Sequence, residues 1–251
     1  DIADQWPKRS GSDHKGKSGH LLVVAGSAQM AGAAVLTCSA AFRAGVGLVT
    51  LVCPRGAYAR LSDLEPAVMI RFGGQGDVVD TIPTEAVAAA DAIVCGPGLG
   101  GGQALSPEMM RSLTELWRTY PGPVLFDADA LCTIEPGSKG PRVITPHPGE
   151  AGRLLGCSSA MVQSDRFGAM TDLIKLGSVV VLKGRHSLVG DATGIRVNPT
   201  GGPVLATAGS GDVLSGIIGG LMARGVEPLS CARLGAYVHG LAGDVLQKQA
   251  L

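Results

Sequence analysis

The sequence predicts an α/β fold, a mostly parallel central sheet with helices on both faces, and three observations predict it. Short β-branched runs alternate with helical stretches along most of the chain, as consecutive βαβ units require. The runs are apolar throughout rather than alternating, as strands covered on both faces must be. Glycine reaches 38 residues while aromatics make up 4%, so elements pack through small side chains and loops are built from backbone. For 251 residues, 45% of them hydrophobic, a single domain spanning 1–251 is the expected organisation.

The first strand is LLVVAG (21–26), preceded by the polar arm DIADQWPKRSGSDHKGKSGH, and its helix is AGAAVLTCSAAFRAG (31–45). Further strands are read in LVTLVCP (48–54), AVMIRFG (67–73), AIVCG (92–96), PVLFDAD (123–129), RVITP (142–146) and SVVVLKG (178–184), joined by right-handed crossovers. Two shorter runs follow, HSLVGD and GIRVN, separated by Ala192 and Thr193; they predict an antiparallel hairpin at the sheet edge. NPTGGPVLATAGSGD (198–212) is a glycine-rich loop opening into the helix VLSGIIGGLMARG, and a last helix runs from Ser230 to Gln249. No internal repeat or low-complexity linker divides the chain.

Lys+Arg and Asp+Glu balance at 21 each, so the chain lacks the field that gathers nucleic acid or an anionic membrane, and its expected partners are small molecules. No run of about 18 apolar residues occurs and the N-terminal stretch is not signal-like, which points to the cytoplasm. The six cysteines, at 38, 53, 95, 132, 157 and 231, form no CxxC pair and sit mostly in apolar runs. They read as buried, reduced thiols, and no His/Cys cluster has zinc-like spacing.

Two nucleotide-binding patterns fail on context. Gly11-Ser-Asp-His-Lys-Gly16-Lys17-Ser18 satisfies the P-loop string, but a strand follows it where a helix is needed. Gly96-Pro-Gly98-Leu-Gly100-Gly101 contains GxGxxG after a strand, yet Pro97 stiffens the turn and no acid ends a strand about twenty residues on. Its glycines allow close backbone approach to a ligand or a tight strand-to-helix turn.

Chemistry concentrates in Thr207-Ala-Gly209-Ser210-Gly211-Asp212, a glycine-rich loop feeding a helix. Free amides and the positive end of the helix dipole there make an anion site. Asp212 has two readings. It is a dipole-favoured acid in a first helical turn, or a general base beside the phosphates that takes a proton from an attacking hydroxyl, a role supplied by geometry more than by a raised pKa.

AGSGDVLSG (208–216) resembles the anion-hole motif of ribokinase-like enzymes. With HKGKSGHLLVVAGS (14–27), MAGAAVLTCSAAFRAGVGLV (30–49), GPGLG (96–100), FDADAL (126–131), TPHPGE (145–150), LKG (182–184) and YVHGLAGD (237–244), nearly the whole chain resembles the NAD(P)H-hydrate dehydratase branch of that superfamily. The resemblance implies a metabolite-repair enzyme that uses ADP, in bacterial members, or ATP, in eukaryotic ones, to dehydrate the S epimer of NADHX and NADPHX. The products are NADH or NADPH, AMP or ADP, and phosphate.

Position by position, the resemblance puts Ala34, Gly98 and His147 at the hydrate site with Asp212 at the reacting centre. Lys183, Gly184, Arg185, His186 and Ser187, with Gly209 and Gly211, hold the nucleotide. Other readings stand beside these: Ala34 in close helix packing, Lys183 paired with an acid rather than a phosphate, and Asp127 and Asp129 as ligand contacts or helix caps. His147, between two prolines, is rigidly presented. Glu150 closes TPHPGE, similar to the TPNxxE segment of vitamin kinases whose acid organises Mg²⁺ through water; His147 replaces the asparagine, so only Glu150 carries that role over. Mg²⁺, a homo-oligomeric assembly and an NAD(P)H-hydrate epimerase as functional partner are further implications. The nearest alternative is a vitamin or sugar kinase of the same fold; another is a nucleotide-binding regulatory module without turnover.

Overall fold

The computed structural model describes residues 5–7 and 18–249; the P-loop-like string at 11–18 lies outside them except for Ser18. Nine strands form one sheet: β1 (His20–Val24), β2 (Leu48–Cys53), β3 (Met69–Phe72), β4 (Ala92–Cys95), β5 (Val124–Phe126), β6 (Arg142–Ile144), β7 (Val179–Leu182), β8 (Leu188–Asp191) and β9 (Gly194–Val197). Their order is β3-β2-β1-β4-β5-β6-β7-β8-β9. The first seven run parallel, while β8 and β9 turn back antiparallel as the expected hairpin. Chain order reverses between β1 and β4, where open α/β sheets form a crevice at the strand ends.

The uninterrupted apolar runs divide by the two-residue strand period. In β1, Leu21 and Val23 enter one core with Ala34, Cys38, Leu214, Ile218 and Leu234, whereas Leu22 and Val24 enter the other with Met109, Leu113, Trp117, Met170 and Leu173. The first core is roofed by α1 (Ala31–Arg43), α7 (Ser210–Ala223) and α8 (Pro228–Gln249), the second by α2 (Thr84–Ala88), α3 (Pro107–Thr119), α4 (Pro148–Leu155), α5 (Ser159–Ser164) and α6 (Arg166–Ile174). Helices α1 and α7 meet almost backbone to backbone: a Cβ on Gly216 would strike the Thr37 carbonyl and lie 2.8 Å from the Ala40 methyl.

Several elements differ from the sequence reading. β5 stops at Phe126, and Asp127 leads into a 3₁₀ turn, Ala128–Thr133, through Ala128 at φ 48°. Helix α7 starts at Ser210, so Ser210, Gly211 and Asp212 are its first turn rather than loop. Helix α8 starts at Pro228 because Glu227 accepts hydrogen bonds from the amides of Leu229 and Ser230. The reading of six buried thiols holds for Cys38, Cys53, Cys95 and Cys231; Cys132, on the outer side of the 3₁₀ turn, is exposed and Cys157, past the end of α4, is half-buried. Among the described residues no helix is long and apolar enough to cross a membrane.

Candidate active site

The carboxyl ends of β5 and β7 bring opposite charges together. Asp127, 1% exposed, accepts hydrogen bonds from Lys183 Nζ at 2.8 Å and from Ser215 Oγ at 2.8 Å. A Cβ on Gly96 would strike the Asp127 carbonyl, so the first glycine of the GPGLG turn leaves room for the Asp127 backbone. Glu150 stands 3.7 Å from Lys183. Burial disfavours the Lys183 ammonium, but Asp127, Glu150 and Asp212 outweigh it and hold its pKa above the ordinary value.

Glu150 and His147 form a capping box on α4. The His147 Nδ1 accepts from the Gly149 and Glu150 amides at 2.9 and 3.4 Å, and Glu150 Oε2 accepts from the His147 amide at 2.7 Å. Pro148 at the first helical position fixes this start. The imidazole edge stays half-exposed and faces the cleft below.

Asp212 projects from the first turn of α7. Its carboxyl is pushed up to about 6, by burial first and then by the Asp127 charge, against the opposing pull of Lys183. In the sequence the base reading rests on geometry more than on a raised pKa; the structure adds the shift. Gly209, at φ 85°, brings the chain into α7 without a side-chain cap, and the amides of Gly211 and Asp212 have no hydrogen-bond partner among the described residues. They are free donors of the kind that hold phosphate oxygens.

A cleft of about 1110 Å³ opens beside this turn, walled by Lys183 to Ser187, the loop 198–207, Ser210, Gly211, His147 and the inner side of α8. Its walls are fixed from behind. Arg166 donates to the carbonyls of Leu182 at 3.1 Å and Lys183 at 3.3 Å. The loop is tied to α8 through the Gly201 amide on Asp244 at 3.1 Å, Thr200 Oγ1 on the Tyr237 carbonyl at 2.8 Å, and Asn198 Nδ2 on the Ala236 carbonyl at 3.1 Å.

Of the residues expected in the site, His147, Lys183, Gly184, Arg185, His186, Ser187 and Gly211 line this one cleft. Asp212 and Gly209 adjoin it in the same turn. Gly98 and Ala34 lie together elsewhere, at the start of α1: a Cβ on Gly98 would lie 2.9 Å from those of Ala33 and Met30, and Ala34 is fully buried against Gly26. The packing reading therefore describes the Ala34 methyl, which presents no surface to a ligand. Sequence reasoning left the role of Asp127 open and passed over Ser215, Arg166 and His239. Asp127 had a signal, an acid ending an apolar strand; the others acquire partners only through folding.

No group of three or more His, Cys, Asp or Glu side chains among the described residues could hold a metal. The Glu150 carboxylate is already engaged by the His147 amide and faces Lys183. This donor set fits a cation carried in by phosphates and touched through water, not one held directly by protein.

A family model for the NAD(P)H-hydrate dehydratases matches residues 21–251. The ADP-dependent (S)-NAD(P)H-hydrate dehydratase of Neisseria meningitidis serogroup B is 41% identical over 253 residues, which cover 96% of this chain and 82% of that protein. The bifunctional NAD(P)H-hydrate repair enzyme of Moorella thermoacetica is 39% identical over 98% of this chain but 48% of its own length, so this chain spans about half of that relative. The structure of the ADP/ATP-dependent NAD(P)H-hydrate dehydratase of Bacillus subtilis, co-crystallised with ATP and Mg²⁺, matches with a TM-score of 0.86 at 28% identity, over 99% of this chain and 88% of that one. Hydroxyethylthiazole kinase of Pyrococcus horikoshii, with a TM-score of 0.62 at 15% identity over 94% of this chain and 83% of that one, shares the fold alone. With the ribokinase-like sheet, the charged cluster at its strand ends and a family match over nearly all its residues, the chain belongs to the NAD(P)H-hydrate dehydratase family.

Proposed function

We propose that this chain, acting as one domain over 1–251, dehydrates the S epimer of NADHX and NADPHX with ADP or ATP as co-substrate. One observation carries the mechanism: a carboxyl pushed up to about 6, Asp212, shares a helix turn with free amides and lies in the field of the Lys183 ammonium. Base, anion hole and cation are thus gathered beside one cleft.

A ring hydroxyl is a poor leaving group, and phosphorylation makes it a good one. Asp212 takes the hydroxyl proton as the oxygen bonds to the terminal phosphorus and the bond from that phosphorus to the nucleotide's bridging oxygen breaks, releasing AMP or ADP. The Gly211 and Asp212 amides and Lys183 meet the charge on the transferring group. The ring-nitrogen lone pair then expels phosphate, and loss of a proton from the adjacent ring carbon restores the dihydropyridine. Lys183 to Ser187, Gly209 and Gly211 hold the nucleotide; Gly98 and His147 border the hydrate, with the fully buried Ala34 supporting that wall from within α1. Mg²⁺ would enter on the phosphates and neutralise their charge, with Glu150 facing its water shell.

The bifunctional relatives support an NAD(P)H-hydrate epimerase as functional partner, and the family resemblance supports a homo-oligomer working in the cytoplasm. The test is direct: the protein is mixed with hydrated NADH, Mg²⁺ and ADP or ATP, and NADH absorbance is expected to return only when nucleotide is present. Nucleotide consumption with a phosphorylated product and no NADH would turn the assignment to a kinase of the same fold.

A further inference from the structure

We infer that His239 is a positioning residue for the phosphoryl-transfer step, holding the Ser210 hydroxyl so that its proton is turned to the phosphoryl oxygens; this rests on the function proposed above. Ser210 is the first residue of α7, beside the free amides of Gly211 and Asp212, and its Oγ lies 3.1 Å from His239 Nε2 on α8. Both side chains line the cleft that also receives Lys183 and Gly211. The contact therefore joins the anion loop to a different helix at the point where phosphate must sit.

The chemistry of the pair follows from its proton count. Burial, with a smaller push from the Lys183 charge, lowers the His239 pKa against the opposing pull of the Ser210 backbone, so the ring is neutral and carries one N–H. If Ser210 donates to Nε2, only hydroxyl lone pairs face the cleft and they repel a phosphoryl oxygen. If Nε2 holds the proton and donates to Oγ, the hydroxyl proton is free to point at the phosphoryl group. An incoming phosphate selects the second arrangement, and the serine becomes a third donor beside two amides. Gly209, the cap residue, has no side chain to supply that donor.

The test is a double-mutant cycle read by NADH regeneration, with nucleotide binding and thermal unfolding followed on each variant. Ser210→Ala is expected to lower kcat by about 10²-fold, the scale of losing one donor from an oxyanion hole, and His239→Phe, which keeps the ring's volume, by about tenfold. The combined variant should be no slower than Ser210→Ala, because the histidine acts only through the serine. His239→Gln, whose amide nitrogen reaches the Nε2 position, should recover most of the loss, and nucleotide affinity should change by less than about threefold throughout. Losses that multiply in the combined variant, or a His239→Gln enzyme as slow as His239→Phe, would overturn the inference. Should His239→Phe not fold, His239→Ala closes the same cycle. A wild-type chain that regenerates no NADH overturns the proposed function and this inference with it; normal wild-type turnover with multiplying losses overturns the dyad alone.

Discussion

At Asp212 the same burial that makes a base also makes a liability. Its carboxyl is raised to about 6 in the folded chain, against about 3.9 for an unperturbed aspartate. A raised carboxyl contributes stability that is fully present below the unfolded value and is lost as pH climbs through about 6. Asp212→Asn should therefore melt higher than the wild type at neutral pH, and the gain should vanish below pH ~4 in paired thermal scans. In the same variant NADH regeneration should fall by about 10²–10⁴-fold with nucleotide affinity kept or slightly raised, and the wild-type kcat/KM should decline on acidification through the same range. Near-normal turnover with a lower melting temperature would identify the residue as a helix cap instead. Lys183 gives the converse case. Lys183→Met leaves Asp127 and Glu150 buried without their counter-charge, so urea denaturation should show a loss of about 3–5 kcal/mol alongside lost nucleotide binding. The identities of both residues were legible from their neighbours in sequence. The direction of their pKa shifts was not, because it depends on burial and on the charge of Asp127, both of which only the folded sheet supplies.

Strands were legible as elements because burial on both faces leaves an unbroken apolar run, and every strand segment read from the sequence overlaps a strand of the structure. Short helices were less so. Helices α5 and α6 are preceded by Ser158 and Asp165, whose side chains accept from the Met161 and Gly168 amides, and such local signals are spread through many polar stretches. Arg142 shows a different limit. It lies in a buried strand position at 2% exposure with its guanidinium on the carbonyls of Trp117, Gly122 and Tyr120, the end of α3 and the loop after it. A charge in an apolar run can be recognised in sequence, but not a cation whose partners are the carbonyl groups around another helix's end. The α1–α7 contact provides the test at this scale. Gly216→Ala drives a methyl into the Thr37 backbone, so it should destabilise the chain by about 1–3 kcal/mol in denaturant titrations. It should also slow turnover, since α7 carries Ser210 and Asp212 at its head. Unchanged stability would show that the two helices separate without penalty.

Across the whole molecule, the chemistry collects at the strand ends from β5 to β7, with the first turn of α7 closing over them, while the GxGxxG turn at the β1–β4 reversal makes room for Asp127. The first glycine of a pattern associated with redox dinucleotides thus serves packing, and the phosphate site proposed above lies in a loop late in the chain. Nucleotide binding should accordingly be insensitive to the other discarded pattern: Lys17→Ala is expected to keep ADP affinity within about threefold, and a loss of several hundredfold, roughly 3.5 kcal/mol, would restore the P-loop reading. The sheet order has a separate consequence for how copies of the chain meet. An open sheet ends in two strands with unpaired hydrogen-bonding groups, which can template the addition of a foreign strand. Here β3 and β9 are each four residues long, and each exposes one arginine, Arg71 and Arg196. On β3, Tyr58 and Arg55 also cover Phe72, at 5.7 and 4.7 Å from its ring centroid. Joining two like edges would set arginines against each other, so fibril-like growth is discouraged at both ends of the sheet.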